Sequence, residues 1–223
     1  MKLRLLGQTC AKFGAGLVII GLLLFLPAGT LAYANGWLLL GLFFVPMLLL
    51  GTVLFVKAPE LLKKRLSTKE KQSTQKRVVA LSGLMFAAGF IAAGLDFRFG
   101  WTHLPLWLVI GAAALFLVGY TLYAEVMREN AYLSRTVEVQ QGQRVIDTGL
   151  YGVVRHPMYA ATLLLFLSMP LVLGSLVSFV IFLAYPLLIA RRIVSEEALL
   201  RQQLSGYSEY CAKVRWRLIP LVW

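Results

Sequence analysis

Four long apolar stretches dominate the first 130 residues of the sequence. They cover residues 13–34, 37–56, 78–95 and 105–127. Each is about as long as a helix must be to cross roughly 30 Å of hydrocarbon. None alternates apolar and polar residues with the period of two that is typical of lipid-facing β-barrel strands. The pattern predicts four membrane-spanning helices in two hairpins, with short connections near 33–36 and 96–104 and a flexible basic loop at 63–76.

A fifth apolar region, at 160–190, has a different pattern. It is nearly uncharged but is interrupted by Pro170, Gly174 and Pro186. As a single helix it would rise about 45 Å, too long for the bilayer without strong tilt. A break near 170–174 would give two arms of about 12–16 residues, each shorter than a full span. We therefore predict a hairpin that enters and leaves on one face and brings its two polar flanks together.

The composition and the charge distribution support a membrane protein. The chain is 59% apolar and 14% charged, whereas soluble domains are about 45–50% apolar and about 25% charged. The net charge of +12 could indicate a nucleic-acid partner. However, 21 of the 22 basic residues fall on one side of the predicted threading, and only Arg98 falls on the other. Positive residues favour the cytoplasmic side, so we predict a cytoplasmic N-terminus and no nucleic-acid partner. The sequence also gives no evidence of a required protein partner, and none is expected.

The chain length favours one membrane domain, residues 1–223. Within it we predict a four-helix scaffold at 1–127 and a catalytic region that binds cofactor and substrate at 128–223. Cys10 and Cys211 both fall on the reducing side, so no disulfide is expected. The basic N-terminus and Ala32-Tyr33-Ala34 imitate a secretory signal, but the apolar stretch is longer than a signal requires, and we expect a retained helix.

The flank before the fifth apolar region contains residue types that suit ligand binding. Gly149 and Gly152 permit tight turns and a close approach to a ligand. Tyr151 and Tyr159 offer aromatic faces and hydroxyls at a membrane boundary. His156 can donate or accept a hydrogen bond near neutral pH. Taken singly, each has a simpler explanation, because tyrosines near an interface often only anchor the helix in the membrane.

The flank after it contributes charge. Arg192 and Glu196 lie four residues apart and therefore share one helix face. Such a pair is often only a surface ion pair worth about 0.3–0.5 kcal/mol. At a membrane edge and facing the bundle, it is instead a candidate functional site. Pro157 suits the first turn of the hairpin's first helix. Two polar clusters that bracket one hairpin together predict a site between them.

The combined pattern resembles the isoprenylcysteine carboxyl methyltransferase and phospholipid methyltransferase family. It reads Gly-x-Tyr-x-x-x-Arg-His-Pro-x-Tyr, an apolar hairpin, Glu-Glu-x-x-Leu, Tyr-x-x-Tyr and Arg-x-Ile-Pro. The matching residues are Gly149, Tyr151, Arg155, His156, Pro157, Tyr159, Glu196, Glu197, Leu200, Tyr207, Tyr210, Arg217, Ile219 and Pro220. The resemblance begins near residue 140, and the first two hairpins match only as membrane helices.

This resemblance implies an all-α integral membrane protein that binds S-adenosylmethionine at a cytoplasmic-side site built from the C-terminal third, without a Rossmann domain. The implied cofactor-binding residues are Gln143, Arg144, Val145, Ile146, Tyr151, His156, Pro157, Met158, Tyr159 and Glu196. Arg192 is implied to bind and orient the acceptor, and Arg192 and Glu196 form the catalytic pair. No metal is expected. The implied location is the inner membrane of a prokaryotic cell or the endoplasmic reticulum of a eukaryotic one.

Several acceptors and two other functions stay open. The expected acceptor is lipid-like, most like a prenylcysteine carboxylate, which is already a nucleophile. A phospholipid amine would need Glu196 or Glu197 as a base, and a small thiol is a further alternative. A sterol-type double-bond reductase that uses NADPH has a similar C-terminal pattern. The other alternative is a non-enzymatic membrane protein, either a small transporter or an assembly factor. It would need charge within a span, and the first four stretches have essentially none before Glu125.

Overall fold

The computed structural model describes residues 2–66, 73–134 and 136–223, and all regular secondary structure in this part of the chain is helical, with no strand. The helices are α1 Lys2–Ala28, α2 Ala34–Lys57, α3 Pro59–Leu66, α4 Ser73–Phe99, α5 Leu106–Glu129, α6 Pro157–Val172, α7 Leu176–Phe182, α8 Ala184–Gln203 and α9 Tyr207–Lys213, with a 3₁₀ turn at Gly149–Gly152. The predicted all-α class is confirmed.

The four predicted spans correspond to α1, α2, α4 and α5, which are 24–27 residues long and apolar enough to cross a membrane. The first connection lies earlier than predicted, because α1 ends at Ala28 and Gly29 turns the chain at φ +70°. The predicted loop at 63–76 is partly wrong. Its first four residues end α3, its last four begin α4, and 67–72 lie outside the described residues.

Helix α3 is short and amphipathic, and it lies at the end of the bundle. Leu61 and Leu62 are buried against Val126 and Met127 at the end of α5. Arg65, on the last turn of α3, donates to the carbonyl of Ser134 at 3.1 Å. This end carries α3, the start of α4, the segment 130–156 and residues 204–223, and we call it the basic end. The opposite end carries the connections 29–33, 100–105 and 173–175.

The fifth apolar region forms the predicted hairpin, but its arms cross the whole bundle. Helix α6 ends at Val172, and the chain turns at Gly174 with φ +78°. The turn lies at the opposite end, where the Tyr33 hydroxyl donates to the Leu173 carbonyl at 2.6 Å. The first arm, α6, has 16 residues and is as short as predicted, but the prediction that the second arm also falls short of a full span is wrong. The second arm runs over Leu176–Gln203 and is itself long and apolar enough to cross a membrane.

Two prolines affect the hairpin differently. Pro186 cannot donate to the Phe182 carbonyl, and the second arm bends there, separating α7 from α8 at Leu183. Pro170 lies in the last turn of α6 without ending the helix. The helix continues to Val172, where the chain reaches the turn. The first arm thus ends within the predicted break at 170–174, and only the second arm extends further than predicted, to Gln203.

Close helix packing fixes the position of α6 against α5. A Cβ atom at Gly119 would lie 2.9 Å from the Leu165 Cγ and 3.2 Å from the Ala161 carbonyl oxygen. Small residues let membrane helices approach this closely. The first arm of the hairpin is therefore held along α5, and the start of α6 is fixed near the basic end.

Candidate functional site

A cavity of about 580 Å³ opens at the basic end and extends into the bundle. One face of α8 forms a long wall, and its lining residues recur every three or four positions: Tyr185, Ile189, Arg192, Glu196, Leu200 and Leu204. At 1.5 Å per residue this wall is about 28 Å long. The other walls come from α4, α6, α9 and the segment 130–146.

The inner part of the cavity is apolar. Val79 and Gly83 of α4 line it, and both are exposed, so this wall is also part of the bundle's outer surface. Phe86 and Phe166 pack edge to face with ring centroids 4.8 Å apart, and Tyr185 packs against Phe166 at the same distance. The inner part can hold an apolar group that enters from the hydrocarbon region.

Midway along the cavity, three polar side chains form a chain of hydrogen bonds. Arg192 donates from Nε to the Tyr159 hydroxyl at 2.9 Å. That hydroxyl donates to Glu196 Oε2 at 2.5 Å. Arg192 and Glu196 do lie on one face of the helix, as the spacing predicted, and Tyr159 of α6 bridges them. The positive and negative groups are thus fixed where the apolar inner part meets the outer part.

Behind this wall lies a buried ionic cluster, which we call the Glu197 clamp. Glu197 is 3% exposed. Its Oε1 accepts a hydrogen bond from Arg155 Nε at 2.7 Å and lies 3.2 Å from His156 Nε2. Its Oε2 accepts from Arg217 Nε at 3.0 Å. The sequence left Glu197 open as a base for an amine acceptor. The structure contradicts that role, because Glu197 does not line the cavity and both its oxygens are engaged.

The clamp also joins the two flanks of the hairpin through the backbone. The Arg155 and His156 amides donate to the carbonyls of Trp216 and Arg217, each at 2.9 Å. Arg155 Nη1 donates to the carbonyls of Val214 and Arg215, each at 2.8 Å. These contacts bring the C-terminal segment against the start of α6. The two polar flanks therefore meet, as the hairpin prediction required.

Tyr151 stands at the outer mouth, held on the 3₁₀ turn. Asn130 donates to its hydroxyl at 2.8 Å, and the Tyr210 hydroxyl donates to its carbonyl at 2.7 Å. Burial raises the pKa of Tyr151 to about 12, so its phenol is neutral at physiological pH. The φ of +50° at position 149 favours glycine, and a Cβ atom there would lie 2.1 Å from Glu129 Oε2, so the Glu129 side chain would have to move.

Nearly all the site residues predicted from the sequence line the cavity. Those that line it are Gln143, Arg144, Val145, Ile146, Tyr151, His156, Met158, Tyr159, Arg192 and Glu196. Pro157 does not line it and is buried at the first position of α6. His156 turns its Nε2 toward Glu197 and stacks its ring on Tyr159, with centroids 5.7 Å apart.

Other lining residues were missed by the sequence reasoning. They include Arg65, Asn130, Tyr207, Tyr210 and the α4 residues Val78, Val79, Ser82, Gly83 and Phe86. The Tyr-x-x-Tyr pattern did mark Tyr207 and Tyr210, but it gave neither a role. Nothing in the local sequence distinguishes the α4 residues from other residues of a membrane-spanning helix, so they could not be assigned to the site.

Comparison with known proteins gives two kinds of match. A family model described as phospholipid methyltransferase matches residues 107–205. The chain is also 25% identical over 138 residues to a Delta(14)-sterol reductase of Methylotuvimicrobium alcaliphilum, covering 55% of this chain and 32% of that protein. It is 32% identical over 91 residues to a Delta(14)-sterol reductase of Mus musculus, covering 40% of this chain and 22% of that protein. The chain thus spans a third or less of the length of these curated relatives.

Proposed function

We propose that this multi-pass membrane protein transfers a methyl group from S-adenosylmethionine to a lipid-like acceptor, since a family model described as phospholipid methyltransferase matches residues 107–205. The observation that carries the proposal is the form of the cavity. Its outer part is polar and aromatic, its inner part is apolar and reaches the bundle's outer surface, and Arg192, Tyr159 and Glu196 stand between them. A water-soluble cofactor and a membrane-dissolved acceptor could each enter from their own phase.

The residues present fit S-adenosylmethionine. The cavity volume of about 580 Å³ lies within the roughly 300–1,000 Å³ of small-molecule sites. Glu196 offers a carboxylate for a positively charged ligand, and the buried Tyr207 hydroxyl has no hydrogen-bond partner among the described residues. The cofactor would be held by residues 143–146 and by Tyr151, His156, Met158, Tyr159 and Glu196. Pro157 would act indirectly, by starting α6.

When bound, the cofactor supplies an electrophilic methyl group on a sulfonium sulfur. The chain's own contribution is alignment and exclusion of water, because in-line displacement needs little acid–base help. Glu196 attracts positive charge, and Tyr159 holds its carboxylate in place. Arg192 orients the acceptor. The inner part of the cavity surrounds the acceptor's apolar portion and keeps water away from the reacting atoms.

A carboxylate acceptor, as in a prenylcysteine, suits this arrangement best. The Arg192 guanidinium can hold a carboxylate or phosphate in a forked geometry. A phospholipid amine would need a base to remove its proton, and Glu196 is the carboxylate on the cavity wall that could do so. A small thiol is the third alternative. It would leave the apolar inner part of the cavity without a use.

A second candidate function is reduction of a sterol-type double bond with NADPH. The observation that favours it is the similarity to two Delta(14)-sterol reductases. Such a reaction would use the same cavity for a different cofactor and a larger apolar substrate. Cofactor choice therefore separates the two functions.

The deciding experiment incubates the purified protein with methyl-labelled S-adenosylmethionine and a membrane lipid extract. We expect label in the lipid fraction, and the labelled product identifies the acceptor. Glu196→Gln serves as the matched control, and a parallel reaction with NADPH measures its oxidation. Binding and oxidation of NADPH, with no binding of S-adenosylmethionine, would overturn the proposal in favour of the reductase.

We further propose that the N-terminus and the basic end face the cytoplasm. Single cysteines introduced near Gln141 and near Ser208, in a background lacking Cys10 and Cys211, should both react with a membrane-impermeant thiol reagent only from the cytoplasmic side. Reaction of both from the other side would reverse the orientation. Reaction from opposite sides would contradict the shared face of the two flanks.

A further inference from the structure

Two tyrosines on the same short helix differ in one respect. Tyr207 and Tyr210 of α9 are 4% and 5% exposed, both line the cavity, and their ring centroids lie 5.7 Å apart. The Tyr210 hydroxyl donates to the Tyr151 carbonyl at 2.7 Å. The Tyr207 hydroxyl is buried and has no hydrogen-bond partner among the described residues, with only the weak Cys211 thiol beside it.

An unsatisfied buried hydroxyl is costly, and native proteins seldom keep one without a reason. Burial raises the pKa of Tyr207, and the nearby Glu197 charge raises it further. The phenol is therefore neutral at physiological pH and can both donate and accept a hydrogen bond. Because the side chain lines the cavity, this capacity is available to whatever the cavity binds.

The surroundings of Tyr207 indicate which end of a ligand it meets. Tyr207 packs in an apolar cluster with Leu204 and Tyr210, and Val145 lies against the cluster. The charged Glu196 and Arg192 lie two and three turns before Leu204 along α8. A ligand with a neutral aromatic end and a charged end would place the neutral end at Tyr207. S-adenosylmethionine has this form, with a neutral adenine at one end and a charged amino acid beyond its sulfonium.

We infer that the Tyr207 hydroxyl hydrogen-bonds the adenine base of bound S-adenosylmethionine and so fixes the direction in which the cofactor lies. Adenine occupies the outer part of the cavity, and the sulfonium points inward to Tyr159 and Glu196. This inference rests on the proposed function. Tyr207 acts as a ligand-binding residue, because its hydroxyl makes no hydrogen bond within the part of the chain that the structure describes.

The test compares wild type, Tyr207→Phe and Tyr210→Phe by calorimetry and by melting without ligand. The ligands are S-adenosylhomocysteine and 5′-methylthioadenosine. The second ligand keeps the adenosine but lacks the amino acid. Where binding is too weak for calorimetry, it is measured by competition against labelled S-adenosylmethionine. Loss of one neutral hydrogen bond predicts about 2- to 13-fold weaker binding of both ligands to Tyr207→Phe. The melting temperature of Tyr207→Phe without ligand should equal or exceed that of wild type, because the substitution removes an unsatisfied hydroxyl. Tyr210→Phe should melt lower because it loses the bond to Tyr151.

The possible outcomes distinguish failure of the Tyr207–adenine contact from failure of the proposed methyltransferase function. Equal affinity of Tyr207→Phe and wild type would refute the contact and leave the proposed function standing. Weaker binding of S-adenosylhomocysteine alone would place the hydroxyl at the amino-acid end and refute the adenine assignment. A lower melting temperature of Tyr207→Phe would mean that the hydroxyl has a structural role, which also refutes the inference. Failure of the wild type to bind S-adenosylmethionine would overturn the proposed function itself.

Discussion

Glu196 and Glu197 are neighbours on α8, but the cavity wall and the Glu197 clamp differ in how completely their polar groups are hydrogen-bonded within the protein. In the Glu197 clamp both carboxylate oxygens are engaged, by Arg155 and His156 on one and Arg217 on the other. At the opposite end of the bundle, the buried Asp96 is engaged in the same way by Thr102 and Ser175. On the cavity wall, the Tyr207 hydroxyl has no such bond among the described residues.

This contrast separates groups that hold the fold from groups that are free to bind a ligand. A buried charge is tolerated only when its hydrogen-bonding capacity is met inside the protein. A group that serves a ligand must instead keep capacity in reserve. Substitutions in the clamp should therefore change stability, and substitutions on the wall should change binding or turnover.

The largest effect should come from Glu197→Gln. This change leaves the buried Arg155 without its counter-charge, and breaking a buried pair costs about 3–5 kcal/mol. At about 2–4 °C per kcal/mol for a chain of this size, the melting temperature in detergent should fall by roughly 6–20 °C. Glu209→Gln, on the exposed side of α9, is the control and should melt like wild type. An unchanged melting temperature for Glu197→Gln would contradict the proposal that the Glu197 clamp stabilises the fold.

Arg192→Lys should act on turnover. Lysine keeps the charge but cannot reproduce the forked contact to a carboxylate. Loss of one charge-assisted contact worth about 1.5–3 kcal/mol predicts a fall in turnover on the order of tenfold or more. Cofactor affinity and melting temperature should change little. The matched control is Arg191→Lys at the exposed neighbouring position. Loss of cofactor binding in Arg192→Lys would show that the acceptor assignment is wrong.

Glu196→Gln should weaken cofactor binding first. The amide can still accept from Tyr159, so the fold is kept, but one attractive charge is lost. For a partly exposed pair this predicts an effect of about fivefold or less on the dissociation constant. Calorimetry with S-adenosylmethionine measures it.

Combining Glu196→Gln with Arg192→Lys sharpens the separation of roles. If the two residues serve different ligands, the losses in cofactor affinity and in turnover should each appear undiminished in the double variant. If the two residues only stabilise the helix by bonding to each other through Tyr159, the double variant should behave like either single variant. All three variants should then have a lower melting temperature, with no selective loss of cofactor affinity or turnover.

The smallest effect should come from the exposed pair of Asp147 and Lys213, whose charged atoms lie 2.8 Å apart. The hydrogen bond from Lys213 holds the pKa of Asp147 below its ordinary value of 3.8. Any stabilisation is therefore present above pH 3.8 and is lost as the pH falls through the lower value of the folded state. Asp147→Asn should melt indistinguishably from wild type at pH 7, because exposed pairs contribute little. A large decrease at pH 7 would contradict this.

The spans and the hairpin could be predicted because the length of an apolar stretch is a local property. The end of the second arm could not, because the apolar stretch stops before Arg191. The spacing placed Arg192 and Glu196 on one helix face but did not show that this helix continues the arm. The structure continues the helix through them to Gln203, since Ile189, Ile193 and Glu197 form a buried face that extends past the charges. Charge near a membrane boundary therefore did not mark the end of the helix.

The site was predictable where its residues are close in sequence and not where they come from distant segments. The resemblance identified the 149–159 flank and Glu196, and the cavity brings them together. It could not tell that Glu197 faces away from the cavity, because that depends on Arg155 and Arg217, which approach from two other segments. Nor could it find Val79, Gly83 and Phe86, whose proximity to α8 depends on how the spans pack.

The pairing of Arg155 and His156 with Trp216 and Arg217 has a consequence for the order in which the molecule is made. A growing chain leaves the ribosome from its N-terminus, so the first four spans can enter the membrane while α9 does not yet exist. The cavity lacks the part of its outer wall formed by Tyr207 and Tyr210 until residues 207–217 have been synthesised and have folded back over α6. We therefore expect a nascent chain that stops before residue 207 to insert its helices but not to retain a nucleoside ligand.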